Sequence, residues 1–348
     1  MRIAFFVNSI EGETAIYSTT HLALAALNRG HDICYVTPGD FVLRQDDSLA
    51  VRALTLPGSK YKKAETLHKD LQGDETKVEV MDVTEIDILL LRNDPSEDAA
   101  DRPWAAQVGA IFGRIAAARG VTVLNDPEGL IRAQNKLYFQ EFPASVRPDT
   151  LISKSIEEIR AFIENQPKGA ILKPLQGSGG KNVFKIASPK DANLNQIFEA
   201  VSGEGYLIAQ GFMPAAAEGD VRFFLMNGVP LQSEGKFAAF RRAPAKGDIR
   251  SNIHAGGTAE KIDVSDTMLR IAEAVRPKLI QDGMFLVGLD IVGDKLLEIN
   301  VFTPGGLNNL SQMYETDFSQ SVIAALEDKM AIKSAYAGTI GNRELATL

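Results

Sequence analysis

Three oxygen-bearing side chains, Asp290, Glu298 and Asn300, stand inside one apolar stretch, FLVGLDIVGDKLLEINVFTPGG, residues 285–306. Two carboxylates and an amide carbonyl form the donor set that a hard cation such as Mg²⁺ takes. Burying them among aliphatic neighbours is costly unless each finds a partner. The runs FLVGLDIV and KLLEINV flank Gly293-Asp294, a hairpin turn signal. Taken alone, the stretch reads equally well as an antiparallel hairpin with one polar face in water.

Side chains alternate along a strand, and directly paired residues point to the same face. A regular two-residue turn at Gly293-Asp294 pairs Val292 with Lys295 and Asp290 with Leu297. That turns Asp290 away from Glu298 and Asn300. A shared metal site therefore requires an odd-length connection, Gly293-Asp294-Lys295, or a bulge that shifts the parity by one.

A second stretch with chemical potential is GAILKPLQGSGGKNVFKIAS, residues 169–188. Lys173 lies in the apolar run AILKPL, where an ammonium is expensive unless it meets an anion. Gly177, Ser178, Gly179 and Gly180 let backbone N–H groups approach phosphate oxygens, although such a loop is more often a plain turn. The order strand–loop–strand and the absence of GxxxxGK[ST] exclude a P-loop. The most cationic segment, residues 237–261, carries Arg241, Arg242, Lys246, Arg250 and Lys261. A surface loop explains that charge. A lid closing over phosphates explains it together with Asn252, His254 and the Gly256-Gly257 hinge. His254 reads as a lid contact or a solvated side chain rather than a base.

The elements that must position these groups begin with RIAFFVN, a buried strand, and a helix through Leu22, Ala23, Ala26 and Leu27 that Gly30 stops. HDICYV, IDILLLRNDP and VTVLNDP supply further strands of a parallel sheet, with a helix from about Pro103 to Arg119. Functional groups gather at the carboxyl ends of such strands, where Arg92, Asp94, Asn125 and Asp126 stand. Asn125-Asp126-Pro127 is equally a helix N-terminal signal. No GxGxxG follows the first strand, against a dehydrogenase-type dinucleotide fold. Residues 57–77 read as a solvated polar loop. GLIRAQNKLYFQEF predicts a helix carrying Lys136, VRPDTLISKS a strand, and IEEIRAFIENQ an amphipathic helix. YLIAQGFMP predicts a strand that could offer backbone groups to an adenine edge. EGDVRFFLMNGVPL is a hairpin with Asp220 and Arg222 on one face, turning at Asn227-Gly228. After Ser265 a helix buries Met268, Ile271, Ala272, Val275 and Leu279.

The 348 residues suffice for two or three domains, with 45% hydrophobic and 24% charged residues. A net charge of −8 argues against a general nucleic-acid or anionic-membrane surface. Cys34 is the sole cysteine, in the apolar run DICYV, which excludes an internal disulfide or a CxxC pair and reads as a core thiol. IAFFV is too short for a signal-peptide core and no apolar run reaches membrane-spanning length, so a cytoplasmic location is expected.

Four blocks stand in order: RAQNKLYF, ILKPLQGSGG, GDVRFFLMNGVP with GDIRSNIHAGG, and VGLDIVGDKLLEIN. Together they resemble the ATP-grasp superfamily and, within it, the bacterial glutathione synthetases; LRNDP is similar to that family's N-terminal motif. The similarity extends from the first strand to about Leu326. It implies an α/β fold: an N-terminal doubly wound parallel-sheet domain (residues 1–125), then a two-part ATP-grasp fold. The two parts are a small central lid domain (126–206) and a C-terminal α+β domain (207–327). Residues 328–348 are a tail without an assigned role.

The resemblance further implies that Lys136 and Lys173 reach ATP phosphates under a cover formed by Gln176, Gly177, Ser178, Gly179 and Gly180. Gln210 would lie at the adenine and Asp220 on the ribose side. Asp290, Glu298 and Asn300 would hold two Mg²⁺, with Mn²⁺ as a substitute. Arg222, Arg250 and Asn252 would surround the acyl centre, and Arg92, Arg242, Gly305 and Gly306 the acid substrate. The implied reaction makes an acyl phosphate that an amine displaces. The implied substrates are γ-glutamylcysteine and glycine, with no nucleic-acid or membrane partner and a homo-oligomer left open. A ligase for another acid and amine, a small-molecule kinase and a non-catalytic ATP-binding regulator are the alternatives. The chain departs from the family's pattern at Asn93, at QGSGG, and at Asn308 and Asn309, where TSPTG-x-RE is usual. Those departures bear on the peptide substrate more than on ATP.

Overall fold

The computed structural model describes residues 1–176, 182–203, 205–244 and 257–348. Strand β1 (Arg2–Phe6) is buried along its apolar residues, as suits the middle of a sheet covered on both faces. After it comes α1 (Ser18–Asn28), which ends before Gly30 at φ +86°, and then β2 (Asp32–Val36), parallel to β1.

Residues 37–87 differ from expectation. They form an antiparallel extension, β3 (Phe41–Leu43), β4 (Leu49–Thr55) and β5 (Lys77–Asp82), with helix α2 (Ala64–Leu71) inside the stretch read as a polar loop. Only Ala64, Leu67 and Leu71 of α2 are buried, so three apolar positions in a polar sequence carry the helix. In β5 Lys77 to Val80 are all exposed, Val78 and Val80 included, and only Met81 is buried, so the strand has no buried apolar face to set it by.

The parallel sheet resumes with β6 (Ile88–Leu91) beside β1. Short helix α3 (Pro95–Asp98), α4 (Val108–Ala118) and β7 (Thr122–Leu124) complete the domain. Helix α4 starts at Val108 rather than near Pro103. Asp126 then caps α5 (Pro127–Arg132), accepting from Glu128 N and Gly129 N, so the helix-start reading of Asn125-Asp126-Pro127 holds. The single helix expected over GLIRAQNKLYFQEF does not form. Asn135 accepts from Leu137 N and starts a 3₁₀ turn, Lys136–Glu141, because an Asn side chain competes well for backbone N–H groups. Lys136 N donates to Leu175 O at 3.2 Å, which ties this turn to the next sheet.

That sheet is built from β8 (Thr150–Ser153), β9 (Ala170–Pro174), β10 (Phe184–Ile186) and β11 (Leu207–Gly211), antiparallel in the order β10-β9-β11-β8. Helices α6 (Ile156–Glu164) and α7 (Leu194–Ser202) cover it with a core of their own around Ile159, Ile163, Leu172 and Leu207.

The third sheet takes β12 (Asp220–Met226), β13 (Val229–Pro230), β16 (Ala239–Ala243), β17 (Thr258–Lys261), β18 (Leu286–Val292) and β19 (Lys295–Asn300). Its order is β17-β16-β12-β18-β19, with β13 on β12; β14 (Gln232–Ser233) and β15 (Lys236–Phe237) pair separately. Helix α8 (Asp266–Gln281) buries the five apolar residues expected of it. Helices α9 (Leu307–Tyr314) and α10 (Phe318–Ala335) return to pack beside α1 in one core, and α11 (Asn342–Leu345) closes the chain's fold. No helix among the described residues is long and apolar enough to cross a membrane.

The β18–β19 hairpin satisfies the parity requirement through a bulge. Val292 pairs with Lys295 across Gly293-Asp294, with Gly293 at φ +58°. The ladder then slips by one, so Asp290 pairs with Glu298 and Gly288 with Asn300. Leu297 is the extra residue.

Candidate active site

Two cavities meet along β19. The first, of about 160 Å³, lies between the lid sheet and the third sheet, with Lys136, Lys173, Gln176 and Gln210 on one wall and Glu298 and Asn300 on the other. The second, of about 360 Å³, lies between the carboxyl ends of the N-terminal strands and the third sheet. Arg92 lines it on one side, Arg222, Arg242, Asp290, Gly305 and Gly306 on the other. Asp94, Glu298, Asn300 and Thr303 border both.

Lys173 sits on β9 beside Ile208 of β11, and its Nζ donates to Gln210 Oε1 at 3.1 Å. Burial pushes its pKa down to about 8, against the pull of the Glu298 carboxylate and with the help of neighbouring Lys136. The buried Nε2 of Gln210 has no hydrogen-bond partner among the described residues. An anion and an acceptor are what this wall lacks.

Asp290, 3% exposed, is held by two guanidiniums. Arg222, its neighbour on β12, gives Nε to Oδ1 at 2.5 Å and Nη2 to Oδ2 at 2.9 Å, while Arg242 of β16 reaches Oδ2 at 2.7 Å. Burial alone would raise the Asp290 carboxyl, but the two arginines outweigh it and hold it well below the usual range. Asn300 Nδ2 also donates to Asp290 Oδ2, at 3.2 Å. Glu298 makes no ion pair among the described residues. The donor types fit a hard cation: Glu298 and the Asn300 amide face the cavities as they stand, whereas Asp290 shares its oxygens with arginine.

Asp220, expected near a ribose, stands apart. It lines neither cavity, because its carboxylate is locked in a buried pair with Arg242, Nε to Oδ1 at 2.8 Å. Gly306 has φ +116° and a Cβ there would come within 2.7 Å of the Phe240 ring, so only glycine fits. Arg92, 6% exposed, donates to Thr19 Oγ1 at 3.3 Å and Pro304 O at 3.4 Å, and burial pushes its pKa down to about 10. Gly177, Ser178, Gly179, Gly180, Arg250, Asn252 and His254 lie outside the described residues, as do residues 245–256 of the segment read as a lid. Cys34 is a core thiol, driven up to about 12 by burial.

One residue escaped the sequence reading. Glu13, 7% exposed, lines the second cavity, and its Oε2 has no hydrogen-bond partner among the described residues. Burial pushes its carboxyl up to about 7, with Arg92 opposing and Glu97 reinforcing the rise. The available signal was its place in the loop after the first parallel strand, where functional groups gather.

The fold recurs in solved structures. The D-cycloserine synthetase DcsG superposes with a TM-score of 0.59 at 13% identity, covering 92% of this chain and 98% of that one. An ATP-grasp ligase, PsnB, complexed with Mg and ADP gives 0.58 at 15% identity, covering 92% and 97%. The fold is the one they share, and the family that the chain matches makes it an ATP-grasp ligase, an enzyme that forms C–N bonds. The chain belongs to the prokaryotic glutathione synthetase family, whose N-terminal domain matches residues 1–131 and whose ATP-grasp domain matches residues 135–315. Among its relatives, the glutathione synthetase of Vibrio parahaemolyticus is 33% identical over 317 residues, covering 90% of this chain and 93% of that one. That of Yersinia pestis is 34% identical over 319 residues, with the same 90% and 93% coverage.

Proposed function

We propose that the protein activates the cysteinyl carboxylate of γ-glutamylcysteine with ATP and joins it to glycine, releasing ADP and phosphate. The meeting of the two cavities along Glu298 and Asn300 is the observation that best supports this, because it brings a nucleotide's terminal phosphate and an acid's carboxylate to one edge. In this reading Lys136, Lys173, Gln176 and Gln210 hold ATP in the first cavity. Arg222, Arg242, Arg92, Gly305 and Gly306 hold the acid in the second. Bound by Asp290, Glu298 and Asn300, two Mg²⁺ (or Mn²⁺) would neutralise phosphate charge.

The substrate carboxylate attacks the γ-phosphorus and ADP leaves. Glycine's amine then attacks the acyl carbon, phosphate leaves and the amine loses a proton. Negative charge grows on oxygen in both steps, and Arg222 and Arg242, already fixed by Asp290, are preorganised to meet it. No nucleophilic side chain is needed, in keeping with the inert Cys34. The loop Gly177 to Gly180 and the segment with Arg250 and Asn252 are assigned to covering phosphates and acyl centre on family resemblance. The separate core under the second sheet supports a central unit of its own, but that core takes in Leu207 and Ala209 of β11, so the unit runs past the boundary expected at 206. The ATP requirement and the sole, buried cysteine support a cytoplasmic location.

Phosphate release with γ-glutamylcysteine, with and without glycine, tests the reading. One phosphate per glutathione, dependent on both substrates, is expected. Glu298→Gln should lower Mg²⁺-dependent turnover roughly 10²–10³-fold, the size of losing one preorganised charge contact, with melting little altered. Phosphate released only with another acid would leave the mechanism and remove the substrate. ADP formed with acid but never joined to an amine would make it a kinase.

A further inference from the structure

The second cavity holds two features that acyl-phosphate chemistry does not use. Glu13 is a buried carboxylate whose Oε2 is unpartnered among the described residues, in the same cavity as the acid's proposed contacts. Its charged form is costly in a folded protein, and the attraction of Arg92 offsets only part of that cost, so a cationic ligand would favour it. The other feature is an anion site beside it. Among the described residues Arg92 donates only to neutral oxygens, Thr19 Oγ1 and Pro304 O, at the long distances of 3.3 and 3.4 Å, although a guanidinium has five donors. Helix α1, 11 residues long, opens next to it: Tyr17 gives no side-chain cap, the first turn has no acid, and Ser18 and Thr19 line the cavity. A helix start of this kind favours a carboxylate.

Resting on the function proposed above, we propose that Glu13 and Arg92 form a subsite for a free α-amino-acid head on the acid substrate, Glu13 taking the ammonium, Arg92 and the start of α1 the carboxylate. A γ-glutamyl group presents such a head, because the γ-linkage leaves both α-groups free. The subsite lies on the N-terminal wall of the cavity, and Arg222 and Asp290 lie on the wall of the third sheet. A substrate spanning the two places its reacting carboxylate away from its head.

The test compares γ-glutamylcysteine with glutarylcysteine, which lacks only the ammonium. Wild-type enzyme should prefer the former in kcat/KM by roughly 10–100-fold, the size of one charge-assisted contact. E13Q should raise KM for γ-glutamylcysteine by about that factor, leave KM for ATP where it was, and abolish the preference. The KM for γ-glutamylcysteine should also fall as pH rises through about 7 in the wild type, as Glu13 ionises, and stay flat in E13Q. The other groups that face or adjoin Glu13 are Arg92 just after β6, Glu97 on α3, Tyr17 before α1, Tyr35 on β2, and the His68 ring bonded to its carbonyl. Equal use of both acids by the wild type, which needs no variant to fold, overturns this subsite alone. So does a full preference retained by E13Q. Absence of phosphate release with either acid overturns the proposed function and the subsite with it.

Discussion

At the scale of single residues, the first cavity is organised around an ammonium kept below its ordinary pKa. Free Lys173 loses its proton as pH rises through about 8, and a bound phosphate favours the charged form. ATP affinity should therefore weaken above pH 8 in the wild type. Lys173→Ala should weaken it by about 1.5–3 kcal/mol near neutrality and remove that pH dependence. Calorimetric titration with ATP checks both, and an unchanged affinity in a folded variant would count against the assignment. Lys173, Asp290, Glu298 and Asn300 were legible in sequence because each interrupts an apolar run. Glu13 was not, since it stands in SIEGETAIY, where an acid is ordinary, and only the folded chain buries it and brings Arg92 near. Nor could sequence show that Asp220 is taken by Arg242, a pairing fixed by the register of β12 on β16.

At the scale of elements, what periodicity displays was readable and what partners impose was not. Helix α8 was predicted to its five buried residues, and the β18–β19 bulge followed from parity. Strands β3 and β5 are largely exposed and α2 shows only three apolar positions in a polar run, so that extension of the sheet was missed. The third sheet also carries a cross-strand device that no single strand reveals. Arg242 on β16 bridges Asp220 of β12 and Asp290 of β18, all three buried. Arg242→Leu leaves the buried Asp220 carboxylate without its partner and takes one of two guanidiniums from Asp290, and should destabilise the protein by about 3–5 kcal/mol in urea unfolding. Arg242→Lys should recover only part of this, because a point charge cannot serve two carboxylates as a planar fork does. Asp290 has a depressed pKa, so its contribution is present above the unfolded value of about 3.9 and lost as pH falls through the folded one. The deficit of Arg242→Leu should accordingly shrink on acidification. A loss under about 1 kcal/mol at neutral pH would mean the carboxylates find other partners.

At the scale of the whole molecule, the first and third sheets share their hydrophobic cores, while the lid sheet keeps a core of its own. The last residues belong to the shared body. Asn342 pairs with both backbone groups of Val123, accepting from its N at 2.8 Å and donating to its O at 2.9 Å, and so occupies the outer edge of β7. Its Nδ2 also reaches Asp126, the cap of α5. Lys329 of α10 is fully buried over the Phe285 ring, and its Nζ donates to Leu345 O at 3.1 Å, Leu348 O at 2.6 Å and Asn227 Oδ1 at 2.8 Å. Two of those three acceptors come from the final segment, so that segment solvates a charge the rest of the fold has buried. Ending the chain at Gly338 should therefore cost about 3–5 kcal/mol, the penalty for leaving a buried ion short of partners. Lys329→Met removes the charge and keeps most of the volume, so it should recover much of that loss in the shortened chain and recover nothing in the full one. Urea unfolding of the four chains gives the coupling directly. Equal losses on truncation with and without the Lys329→Met substitution would show that the segment acts through Asn342 at the sheet edge and not through the buried ammonium.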